Sequence, residues 1–268
     1  VLKENYSYKN TNISFEYNTI DTDKKTIVCL HGFLESKAIF NFLYPDFKEY
    51  NLICIDLLGH GESGCIGFIH SMEDQADLVF ELLNHLKLKK VNLLGHSMGG
   101  YIALAFLEFY SECVDTIFLI NSSSKADSET RKINRERGIE LVKKNTNIFV
   151  QMAIMNLFTA DAKKNNSDEI ELLKNNALAM STKGIIASMY GMKQRVDREY
   201  LTNIHENVIY VNTIRENSEA EIAFQYNDGY TENLVSFANN IHTTEEKLSI
   251  SSAKRVWEYL LALLERRG

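Results

Sequence analysis

Hydrophobic and polar positions change their rhythm along this chain, and the changes mark out its elements. Residues 5–17 alternate, with Tyr6 and Tyr8 and then Ile13, Phe15 and Tyr17 at every second position. That period predicts a hairpin of half-exposed strands. The runs at 26–30, 52–55, 91–94 and 116–120 are almost continuously apolar, as strands buried on both faces of a parallel sheet should be. Helical patterns fall between them, at 38–47, at 71–87 with Leu78, Leu82, Leu83 and Leu86 on one face, and from Gly100 to about 110. Strand and helix in alternation predict an α/β protein with a mostly parallel central sheet flanked by helices.

From 122 to 199 the alternation stops and the pattern is helical throughout, without a strand run. This reads as a helical insertion after the sixth strand. The alternation resumes with a strand at 208–211, then a helix near 218–226, a strand at 233–237 and an amphipathic helix at 251–266. The domain plan is therefore a core of residues 1–121 and 200–268 and a helical cap of residues 122–199.

The chemistry is concentrated where the run at 91–94 meets the helix after it. There the sequence reads Gly95-His96-Ser97-Met98-Gly99-Gly100. A Gly-x-Ser-x-Gly pattern between strand and helix is the signature of a sharp turn that exposes a serine hydroxyl. Flanking positions without a Cβ let neighbouring backbone pass closely. The N–H of Met98, at the start of the helix, can face a developing negative charge.

Composition adds bounds. The 268 residues carry a net charge of −7 with basic residues dispersed, which argues against a nucleic-acid partner. No apolar run reaches the ~18 residues of a membrane span, and the N-terminal residues lack a signal-peptide core, so a cytoplasmic location is expected. Four scattered cysteines suggest neither a disulfide framework nor a zinc site. No metal or organic cofactor is expected, and the oligomeric state is open.

Three motifs together give a resemblance. His31-Gly32-Phe33 follows a strand, Asp56-Leu57-Leu58-Gly59-His60-Gly61-x-Ser63 follows the next, and the Ser97 turn comes third. In order and separation they resemble the α/β-hydrolase fold proteins, particularly small bacterial single-chain hydrolases with a helical lid. The resemblance implies a catalytic triad in the chain order serine, acid, histidine, with Ser97 as nucleophile. It implies an oxyanion hole from the N–H groups of Phe33 and Met98, with His31, Gly32 and His96 beside the substrate.

Of seven histidines, His31, His60 and His96 belong to the motifs, His70 and His85 accompany a core-covering helix, and His205 precedes its strand on the wrong side. His242 occupies the family's position for the base, although Ile241 replaces the glycine usual before it and a one-residue shift is required. The family's acid follows the strand at 208–211 in a Gly-x-x-Asp turn. Thr213 and Glu216 match those positions, with Glu219 and then Asp228 as alternatives. The function implied is a serine hydrolase acting on a carboxylic ester or related acyl compound through an acyl-enzyme on Ser97. Carbon–carbon hydrolysis or a lyase step on the same fold, as in menaquinone-pathway relatives, is a second possibility. A binding protein with a degraded triad is a third.

Overall fold

The computed structural model describes residues 1–158, 163, 164, 166–205, 207–216, 219–225 and 231–233, with the strands beyond Tyr210 as backbone. Among the described residues, nine strands form one sheet in the order β1-β2-β4-β3-β5-β6-β7-β8-β9. The opening hairpin pairs β1 (Leu2–Tyr8) with β2 (Thr11–Tyr17). Its two-residue turn places both Lys9 and Asn10 at positive φ, 44° and 61°, the mirror-image turn whose twist suits a hairpin.

The centre of the sheet is parallel: β3 (Thr26–Leu30), β4 (Asn51–Ile55), β5 (Val91–His96), β6 (Val114–Ile120) and β7 (Val208–Glu216). Their apolar runs are continuous because both faces are covered. Val28 and Leu30 join one core with the helices α1 (Met72–His85) and α2 (Met98–Phe109). Ile27 and Cys29, one position out of phase, join a second core on the other face with Phe40, Leu43 and Phe47. The helix expected at 38–47 is instead a 3-10 turn over Lys37–Leu43. Pro45 has no N–H to continue an α-helical ladder back to Asn41, so the segment stays short. Ser71 caps α1 by accepting from the Asp74 N–H.

Between β6 and β7 the described elements are helices: α3 (Glu129–Lys144), α4 (Thr146–Asn156), α5 (Ser167–Leu178), α6 (Thr182–Gln194) and α7 (Glu199–Ile204). Ser128, Asn145 and Ser181 cap three of these. α6 is seated on the core, where the His70 N–H donates to Ala187 O at 3.0 Å. A Cβ on Gly184 would lie 2.5 Å from the Gly59 carbonyl oxygen. Behind it, buried Asp127 takes Arg195 at 2.5 Å and also Arg135. Arg198 bridges Glu73 of α1 and Glu108 of α2 at 2.6 and 2.8 Å.

The last described part corrects the sequence expectation. Residues 219–225 form a strand, β8 (Glu219–Gln225), antiparallel to β7, where a helix was expected near 218–226. β9 (Thr231–Asn233) continues antiparallel. The expected strand at 233–237, apart from Asn233, and the helix at 251–266 lie outside the described residues.

Candidate active site

The carboxyl ends of β3, β4, β5 and β6 form one rim, the usual place for a ligand in an open α/β sheet. β5 ends at His96 and α2 begins at Met98, so Ser97 alone makes the turn. Its φ of 49° and ψ of −110° are unfavourable for a residue with a Cβ, at about 1–3 kcal/mol. The surroundings hold it there. Its N–H donates to Ile120 O at 2.9 Å, and its carbonyl accepts from the Gly100 N–H at 3.0 Å and the Ser122 hydroxyl at 2.8 Å.

The flanking glycines are demanded by contact. A Cβ on Gly99 would sit 2.0 Å from Leu30 O, and one on Gly95 would sit 2.6 Å from the Gly100 backbone. The elbow is thus wedged against the end of β3. Ser97 is half-buried, and its hydroxyl does not cap α2. The Met98 N–H stands at the first position of α2, at the positive end of its dipole.

The loop after β3 carries the other expected donor. Gly32-Phe33-Leu34-Glu35 is a turn closed by the Glu35 N–H on Gly32 O at 3.3 Å, with Leu34 at φ 63°. Phe33 packs edge-on against His60 and against Phe149 of α4, with ring centres 6.0 and 6.5 Å apart. An apolar segment of the helical region therefore reaches the loop after β3.

His31 is fully buried, and both ring nitrogens hold backbone: Nδ1–H donates to Gly32 O at 2.8 Å and Nε2 accepts from the Leu57 N–H at 3.0 Å. Burial pushes its pKa down, against the pull of Asp56, and keeps the ring neutral. His31 ties two loops together and leaves no ring nitrogen for a substrate. His96 is half-buried and meets Glu35 through Nδ1 at 2.9 Å. Burial alone would lower its pKa, but the charge and hydrogen bond of Glu35 outweigh that and raise it.

Glu35 was not singled out in the sequence. It stands three residues after Gly32 and meets the histidine before Ser97, a contact across 61 residues of chain that no spacing signals. The Asp56 turn is structural: its carboxylate takes the Lys37 N–H at 2.8 Å, Lys37 Nζ at 2.6 Å and the Glu62 N–H at 2.9 Å.

The expected acid does not fall in a turn. Thr213 and Glu216 both lie in β7, opposite Ile222 and Glu219 of β8. Val211 is level with Ile120, which is level with His96. Glu216 comes five residues later, about 16 Å along an extended strand. Glu219 lies at the same far end. His242 and Asp228 lie outside the described residues.

Comparison with known proteins agrees with the motif reading. Residues 25–141 match the family model for the alpha/beta hydrolase fold. That stretch has the alpha/beta hydrolase fold. The chain's hydrolase-fold portion is 39% identical over 115 residues to a Bacillus subtilis protein named "Putative 2-succinyl-6-hydroxy-2,4-cyclohexadiene-1-carboxylate synthase", covering 42% of this chain and 41% of that one. It is 33% identical over 120 residues to the Bacillus subtilis "Uncharacterized hydrolase YugF", covering 44% of each. The chain thus spans less than half the length of these curated relatives. Among solved structures, a thermophilic esterase from Thermogutta terrifontis superposes with a TM-score of 0.69 at 26% identity, over 76% of each chain.

A second family model, DNA gyrase B, matches residues 191–246. That stretch includes Glu216, Glu219 and His242. Among the described residues no helix is long and apolar enough to cross a membrane.

Proposed function

We propose that the chain is a serine hydrolase cleaving a carboxylic ester or related acyl compound through an acyl-enzyme on Ser97. The observation that carries this reading is the backbone of Ser97, held at φ 49° between β5 and α2 with its hydroxyl uninvolved in capping. Holding a serine there raises its hydroxyl above the strand end and brings the Met98 N–H beside it.

In this mechanism Ser97 Oγ attacks the substrate carbonyl as its proton passes to His242. The N–H groups of Phe33 and Met98 stabilise the oxyanion. Collapse of the intermediate expels the alcohol, which takes the proton from His242. Water, deprotonated by His242, then attacks the acyl-enzyme, and the carboxylic acid leaves as Ser97 recovers its proton. Glu216 is the proposed acid that orients the imidazole and stabilises its charge. The triad needs no metal or organic cofactor. The helices at 122–199 serve as the cap over the substrate, with Phe149 above the oxyanion loop.

Two observations favour other readings. The likeness to a protein named as a cyclohexadiene-carboxylate synthase favours a lyase or carbon–carbon bond step on the same serine. The match of residues 191–246 to DNA gyrase B, with Glu216 far along β7, favours a binding protein whose hydrolase portion has no relay.

Fluorophosphonate labelling separates binding from catalysis. One adduct on the wild type and none on Ser97→Ala supports an activated serine, and no adduct on well-folded wild type supports the binding reading. Lyase and hydrolase are then separated by assaying simple esters.

A further inference from the structure

The oxyanion loop and the nucleophile elbow arrive from different strands, and one carboxylate oxygen joins them. Glu35 Oε2 accepts the Gly32 N–H at 2.6 Å and meets His96 Nδ1 at 2.9 Å. Gly32 immediately precedes Phe33, the proposed oxyanion donor, and His96 immediately precedes Ser97. A Cβ on Gly32 would lie 2.7 Å from Glu35 Oε2 and 3.1 Å from His96 Nδ1, so the bridge is packed directly onto the loop backbone. Only 8% of the Glu35 surface is exposed.

We propose that Glu35 is a positioning residue whose carboxylate clamps the Gly32-Phe33 loop to the His96-Ser97 elbow and so fixes the oxyanion hole relative to the nucleophile. This rests on the serine hydrolase reading above. The turn needs such a clamp. Leu34 holds a positive φ without being glycine, and the Glu35 N–H bond to Gly32 O is long at 3.3 Å. Without the carboxylate, the loop's hold on the elbow side loses its charged hydrogen bonds, which are roughly twice as strong as neutral ones. Glu35 touches no reacting atom. It acts through the placement of the Phe33 N–H.

The test compares wild type with Glu35→Gln and Glu35→Ala, each checked for folding by circular dichroism and thermal melting. Three quantities are read: the rate of fluorophosphonate labelling, kcat and KM on p-nitrophenyl acetate, and amide hydrogen exchange at Gly32. Loss of a whole oxyanion donor costs about 10²–10³ in kcat, so a displaced donor should cost less. We expect Glu35→Ala to slow labelling and kcat by roughly 10–100-fold. KM should stay within about twofold of wild type, because the interaction is made in the transition state. Glu35→Gln, which keeps one acceptor oxygen, should lie between the two, and the Gly32 amide should exchange faster in Glu35→Ala.

Folded Glu35→Ala with wild-type labelling and kcat would overturn the proposal, as would a rise in KM at constant kcat. Wild type that is not labelled, with Gly32 protection still dependent on Glu35, would sink the hydrolase reading and leave the clamp standing. Unchanged Gly32 exchange would sink the clamp.

Discussion

Ser97 sits in a backbone conformation that side-chain-bearing residues avoid, and its neighbours have given up their own side chains to keep it there. The tightest of these is Gly99, whose missing Cβ leaves room for the Leu30 carbonyl. A methyl group at that point must displace either α2 or the end of β3. Gly99→Ala should therefore destabilise the fold by about 1–3 kcal/mol or more, measured as a fall in the urea midpoint. An unchanged midpoint would mean that the elbow is not wedged as described.

His60 makes a different residue-scale point. It is fully buried, its Nδ1 meets Leu58 O at 3.1 Å, and its Nε2 has no hydrogen-bond partner among the described residues. Burial, with His31 beside it, pushes its pKa from 6.5 down to about 3. Between those values the unfolded chain binds a proton that the folded one refuses, so stability falls as pH drops through that window. His70, pushed down to about 4 chiefly by burial, acts in the same sense. In His60→Gln the loss of stability between pH 6.5 and 4 should be shallower than in wild type. Parallel slopes in urea melts at each pH would contradict this.

Among the elements, the helical region between β6 and β7 is tied together within itself by buried charge, Asp127 pairing with both Arg135 and Arg195. Burial works to raise the Asp127 carboxyl, but Arg135 and Arg195 outweigh it and hold its pKa below the usual range. Asp127→Asn leaves two guanidinium groups facing a neutral side chain. Breaking a buried pair in this way costs about 3–5 kcal/mol, so a marked drop in melting temperature is expected. A drop of less than a degree would show that the two arginines find other partners.

These elements also show what the sequence could and could not disclose. The parallel strands were legible because double burial writes continuous apolar runs such as Ile27-Val28-Cys29-Leu30. Ser97 was legible because its turn needs glycine on both sides. β8 was misread as a helix, although Glu219, Glu221 and Gln225 alternate with Ala220, Ile222 and Phe224, a period of two that outranks helical propensity. With β8 misread, β7 was ended too early, and Glu216 was put in a turn when it belongs to a strand. Glu35 was missed because its role depends on His96, 61 residues away, and spacing along the chain does not carry that contact.

For the whole molecule, the hydrolase family match ends at residue 141, and the residues proposed as acid and base lie in a stretch matching another family. The rim built by β3 through β6 carries the Ser97 turn and the loop after β3. The residues proposed to activate Ser97 lie beyond β6. The central claim is therefore the activation of Ser97, and intact-mass labelling with a fluorophosphonate tests it most directly. The account predicts a single adduct on wild type, none on Ser97→Ala or His242→Ala, and a smaller loss of labelling in Glu216→Gln, since the acid only orients the imidazole. No adduct on folded wild type, or undiminished labelling of His242→Ala, would contradict it.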